Sequence, residues 1–452
     1  MEIGAYNNSF INSLCDEYTK YNRIDIELYK KHNVKRGLRN ADGTGVVAGL
    51  TNICNVHGYL VNEGERMAVD GELIYRGINI KAIAKAGKAE GRFIFEETIY
   101  LLLFGYLPNA KQLEDFCNLL SECRELPENF TEDMIMKAPS PDIMNKLSRS
   151  VLALYSYDDT PDDCAVANVL RQCIELISRF PAIVVAAYQV KRRHYDKKSM
   201  YFHFPQENLS VAQNFLYTMR KNKNFTDDEA KVLDLCLMLH AEHGGGNNST
   251  FTSRVLTSSG TDTYAAISSA VSSLKGPKHG GASNKVSEMF EYIKKAVDDP
   301  RDDNKILAYL EQILQKQAGD KSGLIYGLGH AVYTVSDPRA VILKDYARSM
   351  AEKRGLTNEF LLIDAIERLG PVAFKKVKGT DQLICANVDM YSGFVYSMLG
   401  IPAELYTPLF AMARIVGWSA HRIEELTNEG KIIRPAYKNI KANNDYIPLC
   451  KR

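Results

Sequence analysis

The nine cysteines are odd in number, with no C-x-x-C spacing and no pairing pattern. That excludes a zinc ribbon and a disulfide framework, and it reads as buried thiols in a reducing compartment. Net charge is nearly missing as well, with 56 Lys plus Arg against 55 Asp plus Glu, a formal +1. So even a balance gives no general attraction to nucleic acid or to an anionic membrane, and any anionic ligand must be met by local groups. No apolar run approaches the roughly 20 residues of a membrane span. The opening "MEIGAYNNSFINSLCDEYTK" has neither a basic segment followed by an apolar one nor the acid-poor character of a transit peptide, so the expected location is the cytoplasm. Low-complexity tracts, helical repeats of fixed length and long linkers are also missing.

What remains is an ordinary globular composition, 45% hydrophobic and 25% charged over 452 residues, long enough for two or three domains. Most of it has helical period. In "TDDEAKVLDLCLMLHAEHG", Thr226 and Glu229 form a capping box, Val232, Leu233, Leu235, Cys236 and Leu239 make an apolar face, and Gly244 follows as a stop. Similar patterns predict helices over 109–126, 161–180, 262–275, 282–297, 337–354, 358–377 and 402–429, so the fold class is mainly α. Asp70-Gly71 before "ELIY" predicts a small β-hairpin near residues 59–76. Glycine-rich loops at 243–246, 276–281 and 323–329 break the helices, and a domain boundary is expected near residue 281. The "KRRH" run at 191–194, beside Asp196, reads as a solvated turn.

Four stretches set histidine or aspartate beside glycine: "LHAEHGGGNNSTF" with His240 and His243, "GPKHGG" with His279, "GLGHAVYTVSDPRA" with His330 and Arg339, and "NVDMYSG" with Asp389 and Ser392. Each has an ordinary structural reading, His243 as a helix C-cap and Asp389 as an N-cap. Their repetition at loop mouths shifts the balance toward a cleft. At a helix start the His279 ring is favoured neutral and can donate to an enolate oxygen, with small neighbours admitting the substrate. Enolising a carbonyl compound also needs a base, for which Asp389 is the candidate, while Arg339 and Arg414 suit bidentate capture of carboxylates. The expected substrate is therefore a small polyanion. A metal on His240 and His243 is the competing chemistry, but no H-E-x-x-H is present and the arginines would repel a cation.

Taken in order, "LHAEHGGGNNSTF", "GPKHGGASNKV", "GLGHAVYTVSDPRA", "NVDMYSG", "ARIVGWSAHRIEE" and "IIRPAYKN" resemble the citrate synthase family, from about Arg36 through "VDGELIYRG" to about Lys438. The resemblance implies a two-domain helical fold: a large domain over 1–280 and 393–452, a small domain over 281–392, and the small hairpin near the N-terminus. It implies an acyltransferase of the tricarboxylic acid cycle, with acetyl-CoA and oxaloacetate as substrates and no cofactor or metal. It also implies a homodimer with sites completed across the interface, and no nucleic-acid or membrane partner. Carried over by position, Asp389 is the base at the acetyl methyl, His279 the donor to the enol oxygen, and His330 the group polarising the oxaloacetate carbonyl. His243, Arg339 and Arg414 resemble substrate ligands, and Arg434 resembles an arginine that reaches into the neighbouring subunit's site. Leu324, Ile325, Tyr326, Gly327 and Gly329 resemble the loop enclosing the adenine of CoA. One departure is Thr334, where many members carry Arg or Lys, with Lys375, Lys376 and Lys378 as candidate substitutes. The alternatives are 2-methylcitrate synthesis from propionyl-CoA, which one methylene of discrimination does not exclude, and a helical scaffold without catalysis.

Overall fold

The computed structural model describes residues 8–452 except Gly64 and Glu429. Residues 1–7, which carry part of the leader reading, and Glu429, the end of the helix expected over 402–429, lie outside the described residues. Residues 8–50 form one compact unit and 51–452 another. The first holds the helix Asn8–Asn22, with Phe10, Leu14, Tyr18 and Tyr21 exposed, and the short helix Ile26–Lys31, whose Glu27 N–H is capped by the Asp25 carboxylate. Among the described residues the chain has seventeen α-helices and one three-stranded antiparallel sheet, β1 (Cys54–Asn62), β2 (Glu65–Tyr75) and β3 (Ile78–Asn79).

The hairpin is present, but its reversal lies after Asn62, which pairs with Glu65, and not at Asp70-Gly71. Asp70 and Gly71 sit inside β2, where the register shifts opposite His57 to Tyr59. A distant segment explains the glycine. A Cβ on Gly71 would run into the Ser336 carbonyl, and one on Gly58 would come within 3.0 Å of the Val332 carbonyl. The loop carrying His330 thus lies directly on the strands, held by Gly71 N–H to Ser336 Oγ at 3.1 Å and Tyr333 OH to the Glu72 carbonyl at 3.2 Å.

The helical period holds where neighbours set it. Capping boxes start the helices Ala110–Glu122 (Asn109 with Gln112), Val211–Met219 (Ser210 with Gln213) and Asp227–His240 (Thr226 with Glu229). The helix expected over 161–180 instead runs Val166–His194, through Pro181, so "KRRH" is its last turn and not a loop. Cations there face the negative end of the helix, and Lys191 also pairs with Asp196 at 2.9 Å and Glu404 at 2.6 Å. This helix is long and apolar enough to cross a membrane by composition, yet 83% of its most apolar window is buried inside the protein, as suits a core helix.

The C-terminal helix, Tyr406–Thr427, runs through the core with Arg414, Trp418, His421 and Arg422 all fully buried. It packs against Val166–His194, Asp227–His240, Asn248–Thr257 and Thr263–Lys275. The helices Ala282–Ala296 and Pro338–Arg354 both pack on Asp389–Met398, while Asp303–Leu314 packs on Thr357–Lys378. Beyond residue 430 the chain is exposed apart from the half-buried Ile433, whose N–H donates to Ser258 Oγ at 3.0 Å, and its only regular element among the described residues is a 3₁₀ turn at Leu449–Lys451.

Candidate active site

The helix Asp227–His240 delivers two histidines to different tasks. His240 is buried, its Nδ1 lies 2.8 Å from the Cys236 carbonyl one turn back, and burial pushes its pKa down to about 3. It is a neutral structural ring. His243 lies beyond the C-cap, Ala241, and so does not cap the helix. Its ring stands edge-on to His330 at 5.0 Å and to Tyr333 at 5.5 Å, and its buried Nε2 has no hydrogen-bond partner among the described residues. Burial first, then Arg339, His330 and Arg414, hold it well below the usual histidine range.

His330 is oriented by its own loop. Its Nδ1 accepts the N–H groups of Val332 and Tyr333, each at 3.1 Å, and the ring stacks on Tyr333 at 4.6 Å. Two donors on Nδ1 leave the proton of the neutral ring on Nε2, which makes Nε2–H a donor.

Arg339 opens the helix Pro338–Arg354 and is locked by the residue that caps it. Asp337 accepts the Arg339 backbone N–H, Nε at 3.0 Å and Nη2 at 2.7 Å. Burial would raise the Asp337 carboxyl, but the guanidinium holds it below the carboxylate range. Arg414 is the opposite case. Its Nε donates to the His240 carbonyl at 2.7 Å and its guanidinium lies 4.7 Å from the Phe410 ring centroid, yet Nη1 and Nη2 are buried with no partner among the described residues. Burial lowers its pKa to about 10, with Glu242 opposing and Arg339 adding to the drop.

His279 sits 6.3 Å from the same Phe410 ring, with Nε2 3.0 Å from Ser249 Oγ, which also accepts the Trp418 indole N–H at 3.1 Å. The ring is neutral, as the sequence predicts, with its pKa lowered to about 4. The cause differs, however: burial leads, with Arg414 next. Its glycine neighbours also serve packing. A Cβ on Gly280 would lie 2.5 Å from the Leu274 carbonyl, and one on Gly281 would lie 3.2 Å from Pro277 Cα. They permit the tight turn between helices.

Asp389 is the first residue of the helix Asp389–Met398 but does not cap it. Asn387 Oδ1 accepts the Asp389 N–H at 3.0 Å, while the Asp389 carboxylate accepts the Ser283 hydroxyl. Burial raises the Asp389 carboxyl, against Ser283 and Arg339. Ser392 is fully buried, 3.4 Å from Ser283 Oγ. Asn387 also ties this helix start to the 324–329 loop, donating to the Gly329 carbonyl at 3.0 Å, while Gly329 N–H reaches the Cys385 carbonyl at 2.8 Å. Gly327 (φ 82°) packs on Met390, Ile325 is buried and Leu324 is exposed; Tyr326 OH donates to Asp320 at 2.7 Å.

Ring contacts join His243 to His330 and Tyr333, His279 and Arg414 share the Phe410 ring, and the charges of Arg339 and Arg414 act on both His243 and Asp389. Arg434 is not among them; it is exposed in the C-terminal segment. Lys375 and Lys376 are exposed and pair with Asp381 and Glu311, Lys378 is exposed, and Thr334 Oγ1 is buried without a partner among the described residues. The described residues contain no group of three or more His, Cys, Asp or Glu that could hold a metal ion. Sequence reasoning missed Ser283, Asn387, Asp337, Tyr333 and the pair Ser249 and Trp418. Only Asp337 had a readable signal, as an aspartate followed by proline at a helix start.

Comparison with known proteins meets this geometry. The family described as "Citrate synthase, C-terminal domain" matches residues 40–436. The chain belongs to the citrate synthase family. Its members are enzymes of the acyltransferase type. A citrate synthase from Synechocystis sp. is 36% identical over 387 residues, covering 85% of this chain and 89% of the relative. A citrate/2-methylcitrate synthase from Bacillus subtilis is 33% identical over 340 residues, 75% of this chain and 84% of the relative. Among solved structures, the ternary complex of carboxymethyl coenzyme A and oxaloacetate with citrate synthase from Thermoplasma acidophilum superposes with a TM-score of 0.75 at 26% identity, covering 93% of this chain and 99% of that one. The mainly α fold with its small sheet is that of the citrate synthases.

Proposed function

We propose that this chain condenses acetyl-CoA with oxaloacetate and water to give citrate and CoA. The observation that carries the reading is the Arg414 guanidinium, buried with both terminal nitrogens unpartnered among the described residues and the orphan His243 Nε2 also buried. A buried cation with no counter-ion on its terminal nitrogens is costly unless a ligand supplies one, and a planar carboxylate fits two parallel N–H groups. Arg414, His243 and Arg339 would bind the oxaloacetate carboxylates, and His330 Nε2–H would donate to its ketone oxygen. Asp389 takes a proton from the acetyl methyl while neutral His279 stabilises the enol oxygen. The enol carbon then attacks the polarised ketone, and water hydrolyses the resulting thioester, releasing CoA. The 324–329 loop would receive the adenine, with Lys378 near the phosphates. Neither metal nor cofactor enters this scheme.

The test is release of free CoA in the presence of oxaloacetate, compared for acetyl-CoA and propionyl-CoA. One methylene is worth about 1–3 kcal/mol, so kcat/KM is expected to favour acetyl-CoA by about 10- to 200-fold. A preference for propionyl-CoA would make it a 2-methylcitrate synthase, in line with the name of the Bacillus subtilis relative, and no release would leave a scaffold without catalysis.

The exposed Arg434, beyond the last long helix, supports a homodimer in which it serves the second copy's site. His279→Ala and Arg434→Ala should each be nearly inactive alone. Co-refolded at random, about half the dimers are mixed and one of their two sites regains both groups, so activity should recover to roughly a quarter of wild type. No recovery, with mixed dimers confirmed by differently tagged subunits, would assign Arg434 to its own chain.

A further inference from the structure

One buried carboxylate stands next to the substrate groups without a role in this chemistry. Glu242 is fully buried between His240 and His243. Its Oε1 accepts the Gly244 N–H at 2.5 Å and faces His421 Nε2 at 3.0 Å, while Oε2 has no hydrogen-bond partner among the described residues. The C-terminal helix makes room for it at Gly417, where any Cβ would run into the carboxylate, three residues from Arg414 on that helix. The chain continues on the far side of His421. Its Nδ1 lies 2.7 Å from Arg254 Nη2 and 3.0 Å from Nε, and Arg254 is anchored in turn by Glu424 and, at 2.6 Å, by Glu425.

A guanidinium only donates, so His421 Nδ1 must accept and the ring's N–H lies on Nε2, pointing at Glu242. The relay therefore has one direction, from Arg254 through His421 to the Glu242 carboxylate, with the Gly244 N–H as a second donor. Gly244 is at φ 86° and begins the turn directly after His243, so the bond to Oε1 fixes the backbone that aims the His243 ring. The Glu242 main chain is pinned from the other side, its carbonyl accepting Tyr75 OH at 3.0 Å.

We infer that Glu242, held by the Arg254–His421 relay, is a positioning residue that aims His243 and supplies the negative counter-charge beside Arg414 while the substrate is absent. The charge balance agrees. Burial would raise the Glu242 carboxyl, but His421, Arg414 and the Gly244 N–H hold it below the ordinary range. Once a dianionic substrate occupies the Arg414 terminal nitrogens, Glu242 no longer carries that cation alone and its remaining work is alignment. The inference rests on the substrate reading above, since it assigns Glu242 to that site.

The test uses the full chain and begins with wild-type CoA release from acetyl-CoA and oxaloacetate. Misaligning a substrate group from a distance costs on the order of 10- to 100-fold, so Glu242→Met, which offers no acceptor to the Gly244 N–H or to His421, is expected to lose that much in kcat/KM for oxaloacetate. A purely structural residue would instead lower Tm and leave the kinetic constants of the folded fraction alone. The relay gives an independent pair of variants should Glu242→Met fail to fold. His421→Gln still accepts from Arg254 through its amide oxygen and donates to Glu242 through its amide nitrogen, so it should keep kcat/KM within about threefold of wild type, whereas His421→Leu should fall with Glu242→Met. Equal kcat/KM for the two His421 variants, or a folded Glu242→Met with wild-type kcat/KM, overturns this inference alone. A wild-type chain that releases no CoA overturns the functional reading and this inference with it.

Discussion

Asp389→Asn is expected to lower kcat by about 10²- to 10⁴-fold, the usual contribution of a general base. The asparagine carbonyl can still accept the Ser283 hydroxyl that the carboxylate accepts now, and Asn387 Oδ1 still accepts the backbone N–H of residue 389, so the local structure has no reason to move. Oxaloacetate binding should therefore stay close to wild type, because its ligands sit on other elements. Stability should not suffer either. Burial raises the Asp389 carboxyl, which means that the fold disfavours its ionised form. With the folded pKa above the unfolded one, ionisation costs stability as pH rises through that range, and a neutral amide removes the cost at pH 7. The expected pattern is a large loss of kcat with Tm equal to or above that of wild type, read by steady-state kinetics and calorimetry. A near-normal kcat would remove Asp389 from the role of base.

Arg414→Met is expected to act on binding. Losing one partner of a buried charged pair costs about 2–5 kcal/mol, so the oxaloacetate dissociation constant should rise on the order of 30- to 5000-fold, measured by titration calorimetry. A second readout separates this from misfolding. Oxaloacetate binds the folded chain and should raise the wild-type Tm by mass action, and that rise should vanish in Arg414→Met at the same ligand concentration. In the empty protein the two terminal nitrogens of Arg414 bond to nothing among the described residues, so the substitution gives up only the bond to the His240 carbonyl, the packing on Phe410 and the field beside Glu242. An unchanged affinity would show that the orphan guanidinium is not the carboxylate site.

Much of this site was legible because several of its signals are local. Histidine or aspartate close to glycine marks a loop mouth. His279, His330 and Asp389 could thus be picked out without coordinates. Other signals misled for the same reason. Asp70-Gly71 looks like a hairpin turn within its own four residues, but the glycine answers to Ser336, some 265 positions away by the bond that Gly71 N–H makes to it. The neutrality of His279 was expected from the helix that follows it, whereas burial and Arg414 account for it. Nothing near Ser283 in sequence announces that its hydroxyl will meet Asp389 across 106 residues.

By itself the sequence determined the mainly helical class, the starts of helices such as Asp227–His240, Thr263–Lys275 and Pro338–Arg354, and the residue types available for an enolisation. Period, capping boxes and turn residues act within about four positions, which is the range of a helical hydrogen bond. Tertiary structure alone decided which nitrogen of His330 carries its proton, that Arg339 is paired with Asp337 while the Arg414 terminal nitrogens have no partner among the described residues, and that Glu242 lies in a directed relay with His421 and Arg254. These depend on desolvation and on which donor meets which acceptor. Both are set by groups brought together from distant parts of the chain, so they have no signature in any short stretch of it.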